Sequence, residues 1–204
     1  MIVIGLTGSI GMGKSTAAGM LRSLGVPVHD SDAAVHRLIG CGGRAVARVE
    51  DAFPGVVRDG AVDRKALGAR VFGDAAALRR LEKILHPMVA DEKGRFLRLW
   101  ASRRCPAVAL DVPLLYETKG DRHCDATILV SAPAFIQALR VLKRPGMTRD
   151  RLAQIRAQQM PELEKKRRAD FIVPTGLGYR LTLVHLGEIV DFLSQFRGAH
   201  WPPR

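Results

Sequence analysis

A chain of 204 residues is long enough for one domain, or for one core carrying inserted subregions. Folding at this length buries roughly 70% of the unfolded surface, so no disulfide or metal staple is needed. A composition that is 47% hydrophobic and 25% charged excludes a disordered or fibrous chain. Because no run approaches the roughly 18 apolar residues that a spanning helix needs, no membrane helix is expected. The formal charge of +12 favours polyanionic partners, either nucleic acid or phosphorylated small molecules, or else a solvated basic surface. Cys41, Cys105 and Cys124 show no CxxC spacing, which argues against a disulfide framework and a zinc site. With no signal-peptide pattern after Met1, a cytoplasmic location is expected.

In chain order, Ile2-Val3-Ile4 followed by glycines reads as a buried parallel strand entering a loop. From Lys14 on, Ala17, Met20, Leu21 and Leu24 recur at helical spacing, and Gly25 is placed to end that helix. Val26-Pro27-Val28-His29 is a short second strand, edge-like because of Pro27. Residues from about 33 to 100 have a mostly helical pattern, with one amphipathic helix through Ala76, Leu78, Leu81, Ile84 and Leu85 that stops near His86-Pro87. Val108-Ala109-Leu110 ending in Asp111 is a third strand and Thr127 to Val130 a fourth. Helices over 134–142 and 149–159 flank Arg144-Pro145-Gly146. Phe171-Ile172-Val173 is a fifth strand, 181–196 a closing helix, and the last residues a loose tail. Strands alternating with helices imply an α/β fold with a central parallel sheet of about five strands, which binds ligands beyond its carboxyl ends. The glycine loop, Asp30, Asp32 and Asp111 all fall there.

Gly8-Ser9-Ile10-Gly11-Met12-Gly13-Lys14-Ser15 matches G-x-x-x-x-G-K-[ST] between a strand and a helix. The glycines let backbone N–H groups turn inward as a nest for phosphate oxygens, and the helix after it aims its positive end at the same anion. Lys14 is expected to reach the β- and γ-phosphates and the Ser15 hydroxyl to ligate magnesium. The loop implies a nucleoside triphosphate. The chain contains no asparagine, so it lacks the Asn-Lys-x-Asp guanine reader of most GTPases, and at this size a nucleotide or metabolite kinase is favoured.

A kinase needs a group that takes the acceptor proton. Asp32, after strand two, is the candidate base, with Asp30 in support of it or of the metal; the alternative is that Asp32 only caps the helix starting at Ala33. Asp111 sits where a Walker B acid holds magnesium, or is a strand-end turn residue. Arg140 and Arg144, one turn apart, face the same way and lead into the tip of a lid that closes over the phosphoryl group, unless they form a solvated helix face.

The chain resembles the dephospho-CoA kinase family along nearly its whole length. The resemblance is carried by the loop through Thr16, His29-Asp30-Ser31-Asp32, Val62-Asp63-Arg64-Lys65-Ala66-Leu67 with Val71-Phe72, and Leu85-His86-Pro87. It continues in Asp111-Val112-Pro113-Leu114-Leu115-Tyr116-Glu117, Gln159-Met160-Pro161, Lys165 and Ala169-Asp170. The family's asparagine-containing turn near the adenine is replaced by Val173-Pro174-Thr175-Gly176, and the lid tip carries Pro145 where many relatives are more acidic.

What the resemblance implies is a P-loop NTPase-type three-layer fold and ATP- and Mg2+-dependent phosphorylation of the 3′-hydroxyl of dephospho-CoA. It implies a nucleotide-binding core over 1–32, 105–133 and 169–197, a helical acceptor-binding subregion over 33–104 and a helical lid over 134–168. By the same carry-over Asp32, Lys14 and Arg140 are catalytic. Gly8, Gly11, Met12, Gly13, Lys14, Ser15, Thr16 and Arg144 bind the nucleotide, Asp32, His86 and Leu114 the acceptor, and Ser15 and Asp111 the metal. His86 has a structural alternative, as packing before Pro87. The expected partners are small molecules, with neither nucleic acid nor membrane, and a monomer is expected. The competing readings are another P-loop kinase and a nucleic-acid-binding ATPase that exploits the +12 charge. The second would need stacking aromatics, which make up only 5% of residues.

Overall fold

The computed structural model describes residues 1–202. Its central sheet has five strands in the order β2-β5-β1-β6-β7. These are β1 (Ile2–Thr7), β2 (Val28–Asp30), β5 (Ala107–Asp111), β6 (Ala126–Ser131) and β7 (Phe171–Pro174). β1 pairs in parallel with β5 on one side and β6 on the other, and β6 pairs in parallel with β7. Every residue of β1, β5 and β6 is buried, which is why these strands read as continuous apolar runs rather than alternating ones. Val26 and Pro27 precede the second strand rather than open it. Pro27 lacks an N–H but its carbonyl still accepts from Ala109 N at 2.8 Å, and β2 is an edge strand as its proline demands.

The chain divides into two compact units, Met1–His29 with Trp100–Arg204, and Asp30–Leu99. In the first, α1 (Lys14–Ser23) and α9 (Tyr179–Ser194) pack on each other and on the sheet. Ala17, Met20 and Leu21 join Ile4, Leu6, Ile128, Val173, Leu186 and Ile189 in one core. α1 ends as the glycine predicts: Gly25 takes φ 79°, a left-handed position only glycine adopts without strain. α6 (Ala134–Leu142), α7 (Arg149–Ala157) and α8 (Glu162–Arg168) lie between β6 and β7 in sequence, over the expected lid. A 3-10 turn, Gly120–His123, precedes β6.

The second unit holds α2 (Ser31–Ile39), α3 (Val46–Ala52), α4 (Arg64–Val71) and most of α5 (Ala75–Ser102). Leu38, Val49, Phe53, Val56, Val62 and Leu67 form its core, with Leu81, Ile84, Leu85, Met88 and Val89 of α5 packed against them. Two expectations are corrected here. The region is not wholly helical: β3 (Val57–Arg58) and β4 (Ala61–Val62) form an antiparallel hairpin. Its turn is Asp59-Gly60, both at positive φ, 51° and 75°, the chemistry a two-residue hairpin turn requires. Nor does the amphipathic helix stop at His86-Pro87, for α5 continues through Pro87 to Ser102. Pro87 removes one helical N–H, but it is exposed while Ile84, Leu85, Met88 and Val89 on either side pack into the core, so burial outweighs the local break.

Candidate active site

The phosphate loop connects β1 to α1. Gly13 takes φ 89° and Gly11 φ 74°. A Cβ at Gly11 would stand 2.5 Å from Val141 Cγ2 and 3.2 Å from the Gln137 carbonyl. Glycine is thus required at position 11 both by backbone conformation and by close approach. The first N–H groups of α1 have no partners within the helix, and such a helix start favours an anion. Ser15 and Thr16, in that first turn, are exposed.

Lys14 Nζ is ion-paired with Asp111 Oδ1 in a very short contact; the lysine side chain is 16% exposed and the aspartate 3%. A loop cation and the carboxylate ending β5 therefore meet at the sheet's carboxyl edge, where both were expected. Arg140 turns its guanidinium inward: Nη2 donates to the Thr175 carbonyl at 2.6 Å and Nη1 to Thr175 Oγ1 at 3.2 Å and the Gly11 carbonyl at 3.4 Å. Thr175 Oγ1 lies 2.6 Å from the Met12 carbonyl, which it reaches as a donor. Arg140 and the turn after β7 thus clamp the loop from one side.

Arg144 is a correction. α6 ends at Leu142, so Arg144 lies past the helix, exposed, and does not share a helical face with Arg140. The cap of α2 is Asp30 rather than Asp32. Asp30 is the N-cap of α2, its Oδ1 accepting from Ala33 N at 2.9 Å, while Asp32 is an exposed residue of the first turn. The capping alternative for Asp32 is thereby overturned, and Asp30's carboxylate is engaged in the cap. His86 is exposed on α5 and Leu114 is 40% exposed in the loop after β5.

The segments that looked family-like but chemically silent prove to meet. Glu117 Oε1 accepts from Met160 N at 2.9 Å and lies 3.0 Å from Lys165 Nζ, whose side chain is fully buried. Burial pushes the Glu117 carboxyl up, but the Met160 N–H and the Lys165 ammonium outweigh it and hold it below the usual glutamate range. Asp170 Oδ2 accepts from both Thr127 N and Thr127 Oγ1, at 2.8 and 2.7 Å, tying the approach to β7 onto β6. Tyr116, whose hydroxyl is pushed up by burial, stays a neutral donor to Thr127 Oγ1 at 3.2 Å. Beside the loop lies a cleft of about 590 Å³, lined among others by Ser9, Met12, Gln137, Gln159, Glu162 and Ile172. Of these, Gln137 and Glu162 carry no motif and went unmarked in the sequence. Their one signal was a polar side chain at an otherwise apolar helix position for Gln137, which is 3% exposed.

A model of the Dephospho-CoA kinase family matches residues 2–176. The chain belongs to the dephospho-CoA kinase family. The dephospho-CoA kinase of Paramagnetospirillum magneticum is 63% identical over 166 residues, covering 81% of this chain and 78% of that one. That of Mesorhizobium japonicum is 53% identical over 199 residues, covering 98% and 100%. A solved structure from Thermus thermophilus is 36% identical with a TM-score of 0.80, covering 97% and 98%. Membership in the dephospho-CoA kinase family makes ATP the expected phosphoryl donor. The P-L-L-Y-E and Q-M-P segments are a structural joint between the loop after β5 and the start of α8.

Proposed function

We propose that the chain transfers the γ-phosphoryl group of ATP to the ribose 3′-hydroxyl of dephospho-CoA, giving coenzyme A and ADP. The observation that carries this reading is near full-length likeness to dephospho-CoA kinases, in a chain whose loop lysine already contacts a buried strand-end carboxylate. In the reaction, the acceptor oxygen forms a bond to the γ-phosphorus as the bond to the β–γ bridging oxygen breaks, and the acceptor's proton leaves to a carboxylate.

Each residue then has a task. The N–H groups at the start of α1 hold the β-phosphate, and Lys14 moves from Asp111 to the β- and γ-oxygens, where negative charge shifts during transfer. Arg140, held by Thr175 and Gly11, adds positive charge beside the loop. Asp32 takes the proton of the 3′-hydroxyl as base. Its own helix start is capped by Asp30, which leaves the Asp32 carboxylate uncommitted to capping. His86 and Leu114, both exposed, are proposed to touch the acceptor.

Magnesium fits the residues present. Asp111 and Ser15 offer hard oxygen donors of the type Mg2+ selects, and the Asp111 carboxylate already draws a cation. Ser15 and Asp111 would hold it, and when bound it neutralises charge on the β- and γ-phosphates. The partners are small molecules. We place the reaction in the cytoplasm, carried out by a monomer; no helix among the described residues is long and apolar enough to cross a membrane.

The decisive assay offers the purified protein ATP and magnesium with dephospho-CoA, AMP, CMP or adenosine, and follows ADP release. Turnover with dephospho-CoA, and one added phosphate at the ribose 3′ position, is expected. Preference for another acceptor would leave a P-loop kinase but remove the substrate. Asp32→Asn should keep ATP affinity within about twofold and lower kcat about 10²- to 10⁴-fold. Near-normal turnover would exclude Asp32 as base.

A further inference from the structure

The outer arch of the phosphate loop, Ser9-Ile10, is held by side chains from the lid helices. Gln159 Oε1 accepts from Ile10 N at 3.2 Å, and Gln137 Nε2 donates to the Ile10 carbonyl at 2.7 Å. Both backbone polar groups of one loop residue are therefore taken by glutamines more than a hundred residues away. Ser9 Oγ donates to Glu162 Oε2 at 3.0 Å.

Gln137 is the centre of this arrangement. It is 3% exposed, and its amide cannot be turned round. Its Nε2 faces a carbonyl, while its Oε1 faces the Arg156 guanidinium, accepting from Nε at 2.9 Å and, in a still shorter contact, from an Nη. A flip would set donor against donor at Arg156 and acceptor against acceptor at the Ile10 carbonyl. Arg156 lies in α7, and Gln159 two residues past its end. α7 itself is lightly anchored: the residue it buries is Leu152. An element with so little apolar burial is drawn from the low-stability end of a fold and moves readily. Links from α7 and the turn after it thus converge on one residue of the phosphate loop, Ile10.

We infer that Gln137, Arg156 and Gln159 are positioning residues through which the placement of α7 sets the shape of the phosphate loop. With α7 seated, the two peptide groups flanking Ile10 are both held and the inner N–H groups of the loop converge on phosphate. With α7 displaced, Arg156 leaves Gln137, the amide loses the partner that orients it, and the arch relaxes. Lid position and nucleotide affinity are then one coupled quantity. The inference rests on the nucleotide-binding reading of the loop but not on the identity of the acceptor.

The test is a double-mutant cycle on the full chain, with Arg156→Ala, Gln137→Leu and both. ATP affinity is measured by titration calorimetry without acceptor, and amide exchange at Ser9–Gly11 by NMR without any ligand. Arg156 is exposed, so Arg156→Ala leaves the core intact even if Gln137→Leu folds poorly. Gln137→Leu should weaken ATP binding about tenfold and Arg156→Ala by about threefold to tenfold. In the Gln137→Leu background the Arg156 change should cost less than about twofold, because Arg156 acts through Gln137. Amide exchange at Ile10 should quicken in each single variant, and in Arg156→Ala Tm should move little. Additive losses, or unchanged affinity and unchanged exchange in Arg156→Ala, would overturn the coupling. Wild-type protein that binds no ATP would instead sink the nucleotide reading, and the exchange result alone would then decide the brace.

Discussion

At the scale of single residues, Lys14, Asp111 and Arg140 are each engaged within the protein before any substrate arrives. Lys14 rests on Asp111, so the proposed nucleotide contact has its ammonium exchange one anion for another. Lys14→Met should therefore lower kcat/KM about 10²- to 10³-fold, as loss of a preorganised phosphate contact does, measured by ADP release. Lys165 and Glu117 allow a stability test. Lys165 is fully buried and Glu117 is 19% exposed, so Lys165→Met leaves a partly buried carboxylate without its cation. The expected loss is at or below the ~3–5 kcal/mol of a broken buried pair, most of it recovered in Lys165→Met with Glu117→Gln. The pH dependence follows from the sign of the Glu117 shift. Its folded-state value is depressed, so its contribution is fully present above the unfolded glutamate value and lost as pH falls through the folded one. Glu117→Gln should flatten the acid side of a plot of unfolding free energy against pH and leave its slope above about pH 6 unchanged.

At the scale of elements, two helices show local rules overridden or reassigned by their surroundings. α5 keeps its hydrogen-bonded course through Pro87 because the residues around it bury apolar surface. Pro87 itself is exposed, so Pro87→Ala should add about 1–3 kcal/mol to the unfolding free energy, read as a higher denaturant midpoint. An unchanged or lower midpoint would mean that the proline's rigidity offsets its missing hydrogen bond. α2 begins two residues earlier than the alanine run announces, and its cap is Asp30. Asp30→Ala should cost about 1 kcal/mol of stability, and Asp32→Ala should cost far less while removing turnover. That dissociation separates the structural aspartate from the proposed base.

At the scale of the whole molecule, the phosphate loop, Asp111, Arg140 and helices α6, α7 and α8 all belong to the unit formed by Met1–His29 and Trp100–Arg204, whereas Asp32 and His86 belong to Asp30–Leu99. ATP alone should therefore protect the first unit selectively. At about 100 times its Kd, a ligand confined to the native state adds roughly 2.7 kcal/mol. Hydrogen exchange should slow at the loop, the end of β5 and the turn after β7, and dephospho-CoA should then extend protection into Asp30–Leu99. ATP protection confined to the second unit would contradict the assignment. The charge of +12 finds its use in this picture as attraction for two polyanionic substrates, so KM should rise with salt.

Much of the fold and part of the site could be read from the sequence, because they rest on local and repeated signals. Wholly buried parallel strands announce themselves as apolar runs, and the eight loop residues carry their own reason in glycine conformation and the helix end. Asp111 was legible as a candidate because strand ends mark the binding edge of such a sheet, and the structure ends β5 there against Lys14. Other features depend on partners far along the chain. The inward turn of Arg140 needs Thr175, the fixing of Ile10 needs Gln137 and Gln159, and the passage of α5 through Pro87 needs the core beneath it. Sequence by itself determined which chemistry the chain carries, since residue type and short spacing suffice to mark a phosphate nest and its lysine. Only the tertiary structure decided which polar side chains hold that nest in shape, because hydrogen bonds across more than a hundred residues leave no periodicity and depend wholly on how the helices pack.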